Sequence, residues 1–325
     1  MATARFDSLN CASSSRAKPI GSNRVSYDEH TVFGGRSGVC RLGLGGFHVG
    51  WIEDADLALE IVWHAIDSGF ALLDNSWDYN DGESERRVGR ALARAGYRER
   101  VLVMTKIDSH SYDGVMRQIT ESLGRLGLDH IDLLQLHEII RENDAKDAVA
   151  RGALRAMVGL RDQGVVGHIG VTGHKDPHYL VDIIDRAAQA GIEFETAQMP
   201  ISAVDAHANS FTTIALPACR ERGVAVLGMK PLGAGTFLAG GALAAPELLR
   251  WALSQPTAVC VTGCESLADV DQAVKVRDGF KPMTLKERED LESRTAKLLH
   301  SGRISEPYKS TDVHDSTDKH PEWLV

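Results

Sequence analysis

Short apolar runs alternate with longer amphipathic stretches eight times along this chain, and no other feature restricts the fold as strongly. The runs of strand length are Arg41–Gly45, Ala71–Asn75, Val101–Lys106, Ile131–His137, Val166–Val171, Phe194–Met199, Val224–Gly228 and Ala258–Thr262. Between and after them lie helical patterns at Asp54–Ser68, Glu83–Ala95, Gly114–Leu126, Val149–Gln163, Pro177–Ala190, Ser210–Arg222, Pro246–Ser254 and Leu267–Arg277. Several helices stop at a glycine just before the next strand, namely Gly69, Gly164, Gly191 and Gly223. Glycine enters the left-handed conformation there without a Cβ clash and ends the helix.

Eight unbroken strand–helix repeats predict an α/β protein of the closed (β/α)₈ TIM-barrel type, as one domain from Arg24 to about His300. At 325 residues the chain exceeds an average domain but suits a barrel with extensions. The rival is a doubly wound sheet, which opens with a glycine-rich turn after its first strand. Gly43-Leu44-Gly45-Gly46-Phe47-His48 approaches that turn, but His48 stands where the third glycine belongs. The barrel is the better reading.

The flanks are less constrained. Met1 to about Asn23 is polar and serine-rich and reads as a flexible tail, with a transit peptide as the outside alternative. Thr31–Cys40 has turn glycines between two apolar runs, the pattern of a hairpin capping the barrel floor. Leu285–Leu299 reads as a further amphipathic helix. Ser301–Val325 is a polar C-terminal tail, either docked over the barrel mouth or loose.

Charge and cysteine usage exclude several functions. A net charge of −9 argues against general affinity for nucleic acid or anionic lipid. No uncharged apolar stretch of about 18 residues is present to span a membrane. Cys11, Cys40, Cys219, Cys260 and Cys264 have no C-x-x-C spacing, which points to a reducing, cytoplasmic setting and to no metal site.

Active residues of a parallel barrel collect at the carboxyl ends of its strands. Read in turn, those ends present Asp74 and Tyr79, then Lys106, then His137. Each alone has a bland explanation as cap, packing group or solvated charge; four in order point to one site. A carbonyl that accepts hydride develops negative charge on oxygen and needs a proton. Tyrosine is a weak acid with a free pKa of about 10, so the expectation is that Lys106 lowers it while Asp74 keeps the lysine charged. His137 would orient the carbonyl.

The run Leu73-Asp74-Asn75-Ser76-Trp77-Asp78-Tyr79-Asn80-Asp81-Gly82-Glu83-Ser84-Glu85, followed by Val88-Gly89-Arg90-Ala91-Leu92, resembles the aldo-keto reductase signature. Ile131–His137 and Ile169-Gly170-Val171-Thr172-Gly173 resemble further motifs of that family, and the likeness runs in order from about Val39 to Val274. It implies an oxidoreductase that binds NAD(P)(H) without a Rossmann fold, with Asp74, Tyr79, Lys106 and His137 as its catalytic tetrad. Some relatives accompany membrane channels, so a non-catalytic nucleotide-sensing subunit is the alternative. A metal-dependent barrel hydrolase would need His-x-His after the first strand, which is lacking.

Against the family pattern, Thr172-Gly173 replaces a Ser-Asn pair that bonds the nicotinamide amide, so the asparagine's function is lost or supplied by His174. Gln198 matches the family's other amide-binding position. Met229-Lys230-Pro231-Leu232-Gly233-Ala234-Gly235 replaces Tyr-Ser-Pro-Leu-Gly, leaving Met229 as the packing surface for the nicotinamide. Lys230 and the backbone from Leu232 through Ala234 to Gly235 are candidates for the pyrophosphate, the alternative being a glycine-rich loop without a ligand. After the last strand, Gly263, Glu265 and Asp269 offer no base for a 2′-phosphate, which favours NAD(H) unless Lys275 or Arg277 reaches in. Phe47, His48, Trp51, Trp77, His110, Tyr112 and Glu138 are expected around the mouth, some merely as packing. They suit a small carbonyl or a sugar. Substrate identity and oligomeric state leave no trace in the sequence.

Overall fold

The computed structural model describes residues 41–309 and 316–325. The expected N-terminal tail, the expected hairpin Thr31–Cys40, and Cys11 lie outside the described residues. Strands β1 (Arg41–Gly45), β2 (Leu72–Asp74), β3 (Leu102–Ile107), β4 (Ile131–Leu136), β5 (Val166–Thr172), β6 (Thr196–Pro200), β7 (Ala225–Met229) and β8 (Val259–Thr262) pair in chain order. All pairs are parallel, and β1 closes on β8 with Leu44 opposite Thr262. The result is the closed (β/α)₈ barrel that the repeat predicts.

The strands are buried almost throughout because the helices cover one face and the barrel interior fills the other. Leu72, Leu102, Met104, Leu133, Leu227, Val259 and Val261 pack the interior. The second, larger apolar layer lies between strands and helices.

Local chemistry sets the helix ends. The Asp54 carboxylate accepts from Asp56 N and Leu57 N to start Ala55–Asp67. Ser111 caps Tyr112–Leu126, and Asp176 followed by Pro177 opens Pro177–Gln189. Gly69, Gly164, Gly191 and Gly223 all take positive φ where the sequence expects helix stops.

Three elements differ from the sequence expectation. Val149–Gln163 is two helices, Asp144–Ala150 and Ala153–Asp162, broken where Gly152 turns left-handed at φ 93°. The helix expected from Ser210 begins as a π-turn, Phe211–Ala215, before Leu216–Glu221. The Asp205 carboxylate takes the Phe211 and Thr212 N–H groups, and Pro217 has none to give. A short helix, Gly46–Trp51, directly follows β1. It sits so close that a Cβ on Gly46 would fall 2.6 Å from the Asp74 carbonyl. Arg87 donates to the carbonyls of Val49 and Ile52 and holds this helix over the mouth.

Of the expected C-terminal tail, residues 316–325 are docked over the mouth, the first of the two alternatives. The main chain of Thr317 and its hydroxyl both donate to Glu138, and Arg141 bonds Thr317 and pairs with Asp318. Main-chain groups of Trp323 and Leu324 bond Gln118 and His110. No helix among the described residues is long and apolar enough to cross a membrane.

Candidate active site

A cavity of about 890 Å³ opens at the carboxyl end of the barrel. It joins Asp74, Tyr79, Lys106 and His137 on one side to Met229, Lys230, Leu232, Ala234, Gly263, Glu265 and Asp269 on the other. The opposite end has a second cavity of about 610 Å³, where Arg161 pairs with Glu195 and Arg222 with Asp185.

The polar cluster follows from strand register. Asp74 ends β2, and Lys106 stands near the end of β3, both pointing into the closed barrel. Lys106 Nζ donates to Asp74, to the Asn75 carbonyl at 2.8 Å and to Tyr79 Oη at 3.0 Å. Gln198 Nε2 donates to the other oxygen of Asp74 at 2.7 Å. The lysine is fully buried, and these acceptors take up the donors of its amine. The Phe47 ring meets Tyr79 edge-on at 5.6 Å and closes one side of the phenol.

The electrostatics of Tyr79 reverse the sequence expectation. Burial, followed by the charges of Asp74, Asp78, Glu138 and Asp108, raises its pKa well above 10. Lys106 lies close enough to oppose this, but the depth of the site and the surplus of carboxylates prevail. The phenol therefore stays protonated across the neutral range.

His137 follows β4, and its ring stands 5.8 Å from that of Tyr79. Its Nδ1 faces Asp108 Oδ1 at 2.9 Å, Ser76 Oγ at 3.2 Å and Asp78 Oδ1 at 3.4 Å. Burial alone would depress its pKa; the Asp78 charge and the bonds from Asp108 and Asp78 outweigh burial and raise it to about 10. Asp78 is correspondingly lowered to about 2, because His137 overcomes burial, while burial and the Asp78 charge raise Asp108 to about 7. The 2.9 Å separation of Nδ1 and Oδ1 is a hydrogen-bond distance. Two ligands of one zinc ion would stand roughly 3.3 Å apart, given metal–ligand bonds of about 2 Å.

The β7 side is looser. Lys230 and Ala234 take positive φ at 56° and 52°, backbone strain of the kind that gathers at ligand sites. Lys230 Nζ lies 6.0 Å from the centre of the Tyr308 ring, with no hydrogen bond or ion pair among the described residues. Burial and the nearby Lys106 lower its pKa to about 8.

The remaining expected residues divide. Phe47, His48, Trp51 and Glu138 line the cavity, and so do Thr172 and His174. Thr172 Oγ1 accepts from Glu138 N, and Gln198 keeps Oε1 without a partner among the described residues. Gln198 lies beneath the cavity rather than on its wall.

Trp77 and His110 do not line the mouth as expected. Trp77 donates to Glu121 at 2.7 Å and packs edge-on against Trp323 at 5.3 Å. His110 is buried under the tail, and burial with the charges of Arg141 and Arg151 lowers its pKa to about 4. Tyr112 is exposed on its helix. His48 Nδ1 meets Glu265 Oε1 at 2.7 Å, bridging the loops after β1 and β8. Asp269 instead caps its own helix by accepting from Glu265 N, Ser266 N and the Ser266 hydroxyl. Arg277 is occupied by the Ser68 carbonyl, away from the cavity.

Sequence reasoning missed Asp78, Asp108, Ser316, Lys319, His320 and Trp323. Asp78 lay inside the signature and Asp108 two positions past Lys106, so their place next to strand ends was the available signal. The tail residues carried none.

A closed parallel barrel with this cluster at its carboxyl mouth defines the class, a barrel oxidoreductase. The sequence model described as the aldo/keto reductase family matches residues 41–242, most of the chain. The chain belongs to the aldo/keto reductase family. It is 28% identical over 218 residues to an aldo-keto reductase of Mycolicibacterium smegmatis, covering 62% of this chain and 72% of that protein. It is 30% identical over 236 residues to an uncharacterized oxidoreductase of Bacillus subtilis, covering 66% and 69%. An aldo/keto reductase of Klebsiella pneumoniae, solved with NADP and acetate, superposes with a TM-score of 0.67 at 21% identity, covering 80% of this chain and 93% of that one.

Proposed function

We propose that this protein transfers a hydride between a nicotinamide dinucleotide and a small aldehyde, ketone or sugar carbonyl, with Tyr79 as the proton donor. The observation that carries the reading is the 3.0 Å contact of Lys106 Nζ with Tyr79 Oη, inside the cavity that also meets the β7 and β8 loops. The M. smegmatis relative's name and the NADP held by the K. pneumoniae protein support it.

When bound, a reduced nicotinamide supplies the hydride to the carbonyl carbon. Tyr79 gives its proton to the carbonyl oxygen, and the phenolate left behind is stabilised by the Lys106 ammonium, which Asp74 holds in place. The raised pKa of the ligand-free phenol suits this direction, because the donor is loaded before the reaction begins. His137 directs the oxygen towards the phenol, and Phe47 helps to exclude water. Met229 and Thr172 would face the nicotinamide, Lys230 and the turn through Ala234 the pyrophosphate. Gln198, beneath the cavity, bonds Asp74 through Nε2 and so helps to hold the partner of Lys106.

For the cofactor's far end, the β8 loop offers Glu265 and no base, which favours the free 2′-hydroxyl of NAD(H). Buried thiols at Cys219 and Cys264 support a cytoplasmic setting.

The test is turnover on a panel of small aldehydes, ketones and aldoses with NADH and NADPH in parallel. Carbonyl-dependent oxidation of either cofactor that vanishes in Tyr79→Phe supports the reading. Tight cofactor binding with no turnover on any carbonyl would sink it.

A further inference from the structure

Two carboxylates meet one nitrogen of His137, and that geometry restricts the state of the ring. All the hydrogen bonds of the ring among the described residues go through Nδ1, to Asp108, Ser76 and the more distant Asp78. Asp78 Oδ1 is buried with His137 Nδ1 as its nearest ionic partner, and Asp108 Oδ2, the oxygen turned away from the ring nitrogen, is buried with no hydrogen-bond partner among the described residues. The ring itself lines the cavity, so Nε2 is the atom left for a substrate.

A neutral imidazole carries one N–H. Placed on Nδ1, that hydrogen satisfies Asp108 but leaves Nε2 as an acceptor, unable to donate to a carbonyl oxygen. Placed on Nε2, it points the Nδ1 lone pair at two carboxylates. With Asp78 and Asp108 both ionised, only the doubly protonated ring serves both edges.

We propose that Asp78 and Asp108 are positioning residues of this site, a pair of buried carboxylates that clamp the Nδ1 edge of His137 so that its Nε2–H meets the substrate oxygen as a charged donor. The identity of that oxygen rests on the reductase reading above. A charged donor makes a shorter and roughly twofold stronger hydrogen bond than a neutral one, and it acts where negative charge develops. No proton leaves His137 in this step; it remains the hydrogen-bond donor while Tyr79 supplies the proton.

The surroundings support the cation. From the β2 loop come Asp78 and Tyr79, from β3 Asp108 and the Asp74-paired Lys106, and from the ring's own segment Glu138, which accepts two bonds from Thr317. Lys230 and Lys319 line the farther walls of the cavity. The tail completes the clamp, because Ser316 Oγ donates to Asp78 Oδ2 at 3.0 Å.

The deciding experiment is ¹⁵N NMR of the histidine rings in the free wild-type protein, with His137 assigned by its loss in His137→Gln. It needs neither cofactor nor substrate, so an inactive protein would not blur the outcome. Both ring nitrogens of His137 are expected to stay protonated through about pH 9. Asp78→Asn should move its titration down towards the ordinary value of about 6.5. In the same variant the alkaline limb of kcat/KM should move down with it, with kcat roughly 10- to 100-fold lower at pH 8.5 and the deficit smaller at pH 6.

A His137 that holds one proton at pH 7.5 in the wild type overturns the proposal, wherever the second proton lies. So does a titration that Asp78→Asn leaves unmoved. Asp108→Asn is the parallel variant, but Asp108 is fully buried; Asp78, nearer the cavity, carries the test if that one fails to fold.

Discussion

On the β2–β4 side of the mouth, nearly every polar side chain is held by another. Asp74 takes Lys106 and Gln198, His137 takes Asp108 and Ser76, and Glu138 takes Thr317. Groups that must stabilise a fleeting charge work best when fixed beforehand, because they then need no reorganisation as the charge forms. Groups that bind a charged ligand instead remain available until it arrives. The expectations drawn from the family likeness divide along the same line: Asp74, Tyr79, Lys106 and His137 stand where it leads one to expect a tetrad, whereas Met229 and Lys230, on the β7–β8 side, depart from the residues it leads one to expect.

The contrast can be broken most directly at Tyr79. Tyr79→Phe should lower kcat on the order of 10³-fold while the dinucleotide Kd stays within about twofold. Stopped-flow turnover and fluorescence titration of the same preparation would show it. A variant retaining a tenth of wild-type turnover would mean that the dense side is not where protons move.

The next effect concerns the tail seated on that dense side. His110 titrates at about 4 when folded, below its unfolded value of 6.5, so the unfolded chain takes up the proton first. The corresponding stability is complete above pH 6.5 and declines by ~3 kcal/mol as pH falls to about 4. Denaturant unfolding of wild type and His110→Asn at pH 7 and pH 4.5 should show a shallower loss in the variant. Equal losses would mean that His110 is not sealed under the tail.

Lys230→Met sharpens the other side. It should weaken dinucleotide binding about tenfold with no loss of Tm, since it removes a desolvated amine that the fold does not use. Wild-type affinity should fall as pH rises through about 8, where the amine loses its charge, and the variant should be flat across that range. A drop in Tm without a change in Kd would assign Lys230 to the fold instead.

The smallest effect is expected at the rim. Glu265→Gln should shift the ratio of NADH to NADPH affinity towards NADPH by only roughly threefold, because Glu265 is more than half exposed and already shared with His48. An unchanged ratio would place the 2′-position elsewhere.

The barrel and the gathering of Asp74, Tyr79, Lys106 and His137 at one mouth were legible because strand order and strand ends are local properties repeated along the chain. Alternating apolar runs report strands, left-handed glycines report helix stops, and the last residue of each strand reports what faces the mouth. The two amides that steer the π-turn at Phe211 and the break at Gly152 were hidden inside otherwise helical patterns. Trp77 and His110 were placed at the mouth by their position after strands, yet both turn to the tail. Nothing in either segment records which distant chain will cover it.

What the sequence determined by itself is which side chains stand at the carboxyl ends of the strands, since strand periodicity is settled within a few residues. What only the tertiary structure decided is how those side chains act on one another. Asp78 and Asp108 reach the same nitrogen because β2, β3 and β4 lie side by side in the closed sheet. Tyr79 holds its proton more tightly than a free phenol because burial deprives the phenolate of water and gathers carboxylates around it. Depth and convergence are properties of the packed barrel, and no spacing along the chain encodes them.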